Sequence, residues 1–174
     1  SGASISLSMR TPRSDSDLYL AIHNKQGELI SAVNNMGLVE RLPKNFFNAH
    51  TIANAITTAD LIILDGNLSE EVLDDFFQIY GNNSVIAVDS VSTVKARRFI
   101  SHLSKIDYLK WNLAEARILV SAGNNLSLDS TNAPESIESV ESIESLEEVS
   151  QKLMKTGVGT ALISNSDAGL IVAS

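Results

Sequence analysis

The chain has 174 residues, 44% of them hydrophobic and 20% charged, which suits one globular domain with a sizeable core. A formal charge of −8 with only short basic groups argues against a nucleic-acid surface, and the lack of cysteine excludes disulfides and thiolate metal sites. No apolar run nears the ~18 residues of a membrane span, and the polar start carries no secretory signal, so a cytoplasmic location is expected.

Residues 1–17, rich in Ser and Arg and holding Pro12, predict an irregular lead-in. The β-prone runs at 18–23 and 28–33 flank the turn signal Asn24-Lys25-Gln26-Gly27 and predict a hairpin within 18–34. After Pro43, residues 46–58 predict a helix. Apolar strands then alternate with helices. LIIL at 61–64 precedes an amphipathic helix over 69–80, with Val72, Leu73, Phe76, Phe77 and Tyr80 on one stripe. VIAV at 85–88 precedes a helix over 94–103, whose Lys95, Arg97 and Arg98 suggest a solvated face. A strand at 106–109 leads to a helix at 113–122, and strands at 161–164 and 170–173 end the chain. Strands that are apolar throughout, separated by helices, predict an α/β fold whose mostly parallel sheet is covered on both faces. The triplet repeat ESIESVESIESL at 135–146 lies in an acidic, low-complexity insertion over 128–148. Its apolar members drift around a helix, which predicts a solvated surface helix or a partly disordered insertion.

The carboxyl ends of the strands are all polar: Asp65-Gly66-Asn67, Asp89-Ser90, Lys110-Trp111-Asn112 and Ser164-Asn165. Ligands gather at such ends in parallel sheets, although Asp, Asn and Ser also suit any strand-to-helix turn. Asn112-x-x-Glu115 fits a capping box, worth about 1 kcal/mol. The functional alternative is that the pair, at a positively polarised helix start, organises a phosphate with its Mg²⁺ and water. Trp111, the single tryptophan, adjoins Asn112 and is expected to report nucleotide binding by its fluorescence. His23, His50 and His102 have no carboxylate pattern around them that would suggest a metal role.

Four blocks in order carry a family likeness: YLAIHNKQGEL at 19–29, ADLIILDGNLSEE at 59–71, VDSVSTVK at 88–95 and DYLKWNLAEA at 107–116. They resemble the PfkB, or ribokinase-like, carbohydrate kinases, and among these the pseudouridine kinases. That family writes the last two blocks as Val-Asp-Pro-Val-Ser-x-x-Lys and Leu-Lys-Pro-Asn-x-x-Glu-Ala. The resemblance implies a partial kinase domain over 18–174 with a ribokinase-like three-layer α/β/α fold, the hairpin belonging to a lid. It implies ATP-dependent phosphorylation of a primary hydroxyl on a ribosyl substrate, pseudouridine to pseudouridine 5′-phosphate, using ATP, Mg²⁺ and a monovalent cation. By matching position, Asn112 and Glu115 would organise Mg²⁺, water and phosphate. Ser164 and Gly169 fall in the family's Thr-x-Gly-x-x-Gly nucleotide segment, and Asn67, Lys95 and Asn35 match the sugar side. The partners implied are a nucleoside or sugar, a second copy meeting the first through the lid, and a fused pseudouridine-monophosphate glycosidase domain, with no nucleic acid and no membrane.

The chain departs from the family pattern at several places. Trp111 and Ser90 replace prolines, and Ser166 replaces the first glycine of the nucleotide segment. The family's Gly-Ala-Gly-Asp, which supplies the catalytic base and the anion hole, is absent. The Gly157-Val-Gly159 present here precedes a strand. Phosphoryl transfer depends on positioning and charge stabilisation, so these 174 residues are expected to be a central piece that is inactive alone. The alternatives are a kinase of another sugar or nucleoside, and a degenerate kinase fold kept as a binding or assembly module.

Overall fold

The computed structural model describes residues 7–8, 11, 15–27, 29–124, 145–165 and 169–174. Strand β1 (Leu18–His23) pairs antiparallel with β2 (Leu29–Asn35). Gly27 closes their turn at φ +85°, its amide donating to the Asn24 carbonyl at 3.1 Å. The second strand runs two residues past the predicted end, to Asn35. Asp17, placed by sequence in the lead-in, anchors the hairpin's exit by accepting from the Leu38 and Val39 amides at 2.8 and 3.0 Å. Leu18, Tyr19, Leu20, Ile22, Ile30 and Val33 of the hairpin are exposed.

The main sheet contains β3 (Ile62–Asp65), β4 (Ile86–Asp89), β5 (Tyr108–Asn112), β6 (Thr160–Ser164) and β7 (Leu170–Ala173), in that spatial order. The first four are parallel and β7 returns antiparallel to β6. The helices are α1 (His50–Thr58), α2 (Glu70–Tyr80), α3 (Thr93–Ala96), α4 (Leu113–Asn124) and α5 (Leu146–Met154). The α/β class, the mostly parallel sheet and the separate hairpin are as the sequence predicts.

From β3 to β6 the order advances in one direction, and right-handed crossovers then put successive helices on the same side. Leu64, Val88, Leu109, Trp111, Ala161 and Ile163 are buried on that side. On the opposite face, Ile63, Tyr108 and Val172 are 72%, 46% and 61% exposed. The layer predicted for this second face is therefore not supplied by the described helices α2 to α5.

Three elements differ from expectation. The helix predicted over 46–58 is split into a 3₁₀ turn, Phe46–Asn48, and α1, because Ala49 is extended at φ −59°, ψ 127°. The break drives Phe47 into the core, where its ring meets Phe76 at 5.1 Å and its carbonyl accepts from the Tyr80 hydroxyl at 3.0 Å. The helix predicted over 94–103 is α-helical only through Ala96 and continues as 3₁₀ from Arg97–Lys105. With three residues per turn, Phe99, His102 and Lys105 eclipse one another. All three meet Phe77: Phe99 edge-on at 6.5 Å, His102 stacked at 4.4 Å, and Lys105 donating to its carbonyl at 3.1 Å. Helix α5 was not predicted. Ser145 and Glu148 form its capping box, a signal present in the sequence but hidden at the end of the acidic repeat. Residues 125–144, which carry most of that repeat, lie outside the described residues. By contrast α2 buries the predicted stripe of Val72, Leu73, Phe76, Phe77 and Tyr80, with Ser69 as its N-cap. Among the described residues, no helix is long and apolar enough to cross a membrane.

Candidate functional site

At the tip of β5 the capping box is complete. The Asn112 amide donates to Glu115 Oε2 and the Glu115 amide donates to Asn112 Oδ1, each at 2.9 Å. Glu115 is 4% exposed, so its carboxylate faces inward, while Asn112 is exposed. Asn112 lies opposite Ser164 in the parallel ladder, and the Ser164 hydroxyl donates to the Trp111 carbonyl at 3.4 Å. Past β6, the Asn165 amide donates to the Gly169 carbonyl at 2.9 Å. Gly169 takes φ +102° with open space where a Cβ would stand. Asn112→Ala should lose about 1 kcal/mol of stability through the cap, measured by urea unfolding, and Asn112→Asp, which keeps the acceptor, should lose less.

Trp111 points the other way. Strand alternation sends Asn112 and Lys110 to the open face and Trp111 to the helix side, where it is fully buried and its indole N–H has no partner among the described residues. A fluorescence response of Trp111 to a ligand at Asn112 would therefore pass through the strand rather than through direct contact.

The β3 and β4 tips form a second group. Gly66 lets these two loops meet, since a Cβ there would lie 2.2 Å from the Ser90 carbonyl oxygen. Val91, at φ 69°, holds a strained left-handed turn fastened by its amide donating to Asp89 Oδ1 at 3.2 Å. The contact places Lys95 Nζ 2.6 Å from Asn67 Oδ1, so two predicted sugar-side residues are hydrogen-bonded. Asp65 orients Asn67, accepting from its backbone amide at 2.8 Å and its side-chain amide at 3.2 Å. Between the two groups, Lys110 Nζ pairs with Asp89 Oδ2 at 3.1 Å. Asn35 is exposed on the hairpin opposite Leu18 and shares no hydrogen bond with Asn67 or Lys95.

The solvated face suggested for Lys95 and Arg98 is not what the structure shows, whereas the sugar-side position also given to Lys95 is the one that brings it to Asn67. Lys95 and Arg98 are both half-buried and fastened to the β3–α2 loop. Gly157 and Gly159 serve packing: a Cβ on Gly159 would lie 2.8 Å from the Asp107 carbonyl oxygen, and Gly157 sits at φ +93°. Ser166 lies outside the described residues.

The donor set suits an anion better than a metal. The groups of the β5 and β6 tips that reach solvent include the neutral Asn112 amide, the partly exposed Ser164 hydroxyl and the Lys110 ammonium, which pairs with Asp89. Glu115 accepts from the Asn112 amide through Oε2 alone and is largely buried. Among the described residues, no group of three or more His, Asp or Glu could hold a metal ion.

A parallel sheet with polar loops at its carboxyl edge and a separate two-stranded hairpin is a ribokinase-like α/β fold. In structure the chain is similar to a carbohydrate kinase from Agrobacterium tumefaciens, with a TM-score of 0.69 and 21% identity, covering 92% of this chain and 45% of that one. It is also similar to ribokinase from Thermotoga maritima, with a TM-score of 0.61 and 14% identity, covering 91% and 45%. In sequence it is similar to the uncharacterized sugar kinase YeiI of Escherichia coli strain K12, 30% identical over 118 residues, which are 68% of this chain and 32% of YeiI. Pseudouridine kinase of the same strain is 29% identical over 119 residues, 68% of this chain and 37% of that protein. The chain spans about a third of the length of these curated relatives. No protein-family model matches it. The resemblance to PfkB-type, ribokinase-like carbohydrate kinases is thus borne out by both sequence and fold.

Proposed function

We propose that the chain supplies the central part of an ATP-dependent kinase that phosphorylates a primary hydroxyl of a ribosyl acceptor, with pseudouridine as that acceptor. The observation that supports this reading is the pairing of two polar groups on one edge of one sheet. Asn67 and Lys95 stand at β3 and β4, and Asn112 and Ser164 stand at β5 and β6.

In this reading Asn112, Ser164 and the open backbone at Gly169 receive the nucleotide. Glu115 acts by fixing Asn112 and the start of α4. Asn67 and Lys95 hold acceptor hydroxyls, Lys95 also supplying positive charge, and Asn35 approaches from the hairpin. ATP supplies the phosphoryl group, and Mg²⁺ bound to it neutralises phosphate charge. With no Gly-Ala-Gly-Asp in the sequence, the proton acceptor and the anion hole are not contributed by these residues. The second reading is a non-catalytic module that binds nucleotide or nucleoside without transfer, and a Gly-x-Gly-Asp elsewhere in the parent protein would favour the kinase over it.

Calorimetric titration of the chain with Mg-ATP, then with pseudouridine, ribose and adenosine, tests the proposal. Saturable Mg-ATP binding is expected, weakened about tenfold by Asn112→Asp because a negative charge then faces the phosphates, an effect near 1.4 kcal/mol. Pseudouridine should bind more tightly than ribose or adenosine, and Lys95→Met should weaken it alone. Flat titrations with all four ligands would overturn the kinase reading. Binding of both substrates by an intact protein that transfers no phosphate would select the second reading.

A further inference from the structure

Arg98 makes more long-range polar contacts than a surface arginine needs. Its Nη1 donates to three successive carbonyls, those of Gly66, Asn67 and Leu68, at 2.9, 3.4 and 2.7 Å. Its Nη2 pairs with Glu40 Oε1 at 3.1 Å, the two side chains being 23% and 42% exposed. Glu40 belongs to the 3₁₀ turn Val39–Arg41, which follows β2 after Met36, Gly37 and Leu38. The amides entering that turn are held by Asp17, the residue before β1. One guanidinium thus touches both the base of the hairpin and the loop that carries Asn67.

Three adjacent carbonyls facing one point repel one another unless a cation sits there. Only a planar fork can serve that point and Glu40 together, because a lysine ammonium is a single compact charge. The loop shape matters for chemistry because it aims the Asn67 side chain at Lys95.

We propose that Arg98 is a positioning residue that couples the hairpin to the acceptor-side pair Asn67–Lys95. It sets the 66–68 loop through the carbonyls and transmits the hairpin's placement through Glu40. The role in acceptor binding rests on the kinase reading above, whereas the coupling itself does not.

The experiment has two arms on the same variants of the chain: Arg98→Met, Arg98→Lys and Glu40→Gln. In the first, amide hydrogen exchange is followed at Gly66 and Asn67, which donate to the Asp89 carbonyl and to Asp65, and at Leu38 and Val39, which donate to Asp17. Arg98→Met should speed exchange at both places about tenfold or more, the scale of a lost charged hydrogen bond, with amides of β5 and β6 unchanged. Glu40→Gln should speed exchange at Leu38 and Val39 and leave Gly66 and Asn67 protected. Arg98→Lys should restore Gly66 and Asn67 without restoring Leu38 and Val39.

In the second arm, Arg98→Met should weaken pseudouridine binding while leaving Mg-ATP binding as it was. Exchange rising equally over the whole chain would reduce Arg98 to a general stabiliser and overturn the proposal. So would unchanged exchange at Gly66 and Asn67 in Arg98→Met. If exchange behaves as expected but the unsubstituted chain binds no pseudouridine, the coupling stands and only the acceptor assignment falls.

Discussion

Gly66→Ala is expected to lose about 3 kcal/mol of stability, at the upper end for a forced overpacking. The added methyl would meet the Ser90 carbonyl oxygen at 2.2 Å and its carbon at 2.9 Å, with Lys95 Cβ at 3.1 Å. The first two obstacles are backbone, and Ser90 is fully buried, so neither can swing aside as a long side chain would. Relief requires the β3 and β4 tips to separate, which also pulls Lys95 from Asn67. Urea unfolding should show a lower midpoint at an unchanged slope, and any acceptor binding should fall with it. A loss under about 0.5 kcal/mol, the size of an ordinary surface change, would show that the two loops are not held in contact.

Phe76→Ala is expected to lose about 4 kcal/mol, since truncating a buried aromatic leaves a cavity as well as lost transfer energy. Phe76 is fully buried and contacts three rings: Phe47 at 5.1 Å, Phe77 at 5.6 Å and Tyr80 at 5.3 Å. Phe47 enters this cluster only because the chain breaks at Ala49, so the cavity would also loosen the segment leading into α1. Phe76→Leu, which refills most of the volume, should recover more than half of the loss, as measured by the same unfolding experiment.

What the sequence predicts well here is periodic or local. The α2 stripe is a period of 3.6, the buried strands are short apolar runs, and the cap at Asn112 and Glu115 spans three positions. The 3₁₀ continuation at Arg97–Lys105 escapes such reasoning because both helix types bring residues three apart onto one side, and nine residues are too few to separate the periods. Arg98 escapes for another reason. Three of its acceptors are backbone carbonyls about thirty positions away, which have no letter in the sequence, and the fourth, Glu40, lies still further off. The facing of Trp111 was also legible, since neighbours on a strand point to opposite sides. The placing of Asn67 beside Lys95 was signalled only by family position, since the approach depends on a glycine meeting a loop far along the chain.

The one-way progression from β3 to β6 has a chemical consequence. Crevices in parallel sheets open where successive connections diverge to opposite sides, and here they all lean alike. Among the described strands β3 to β6 there is thus no point at which diverging connections would open a crevice at the carboxyl ends. Enclosure of anything held at these ends would have to come from other elements than the β3 to β6 connections.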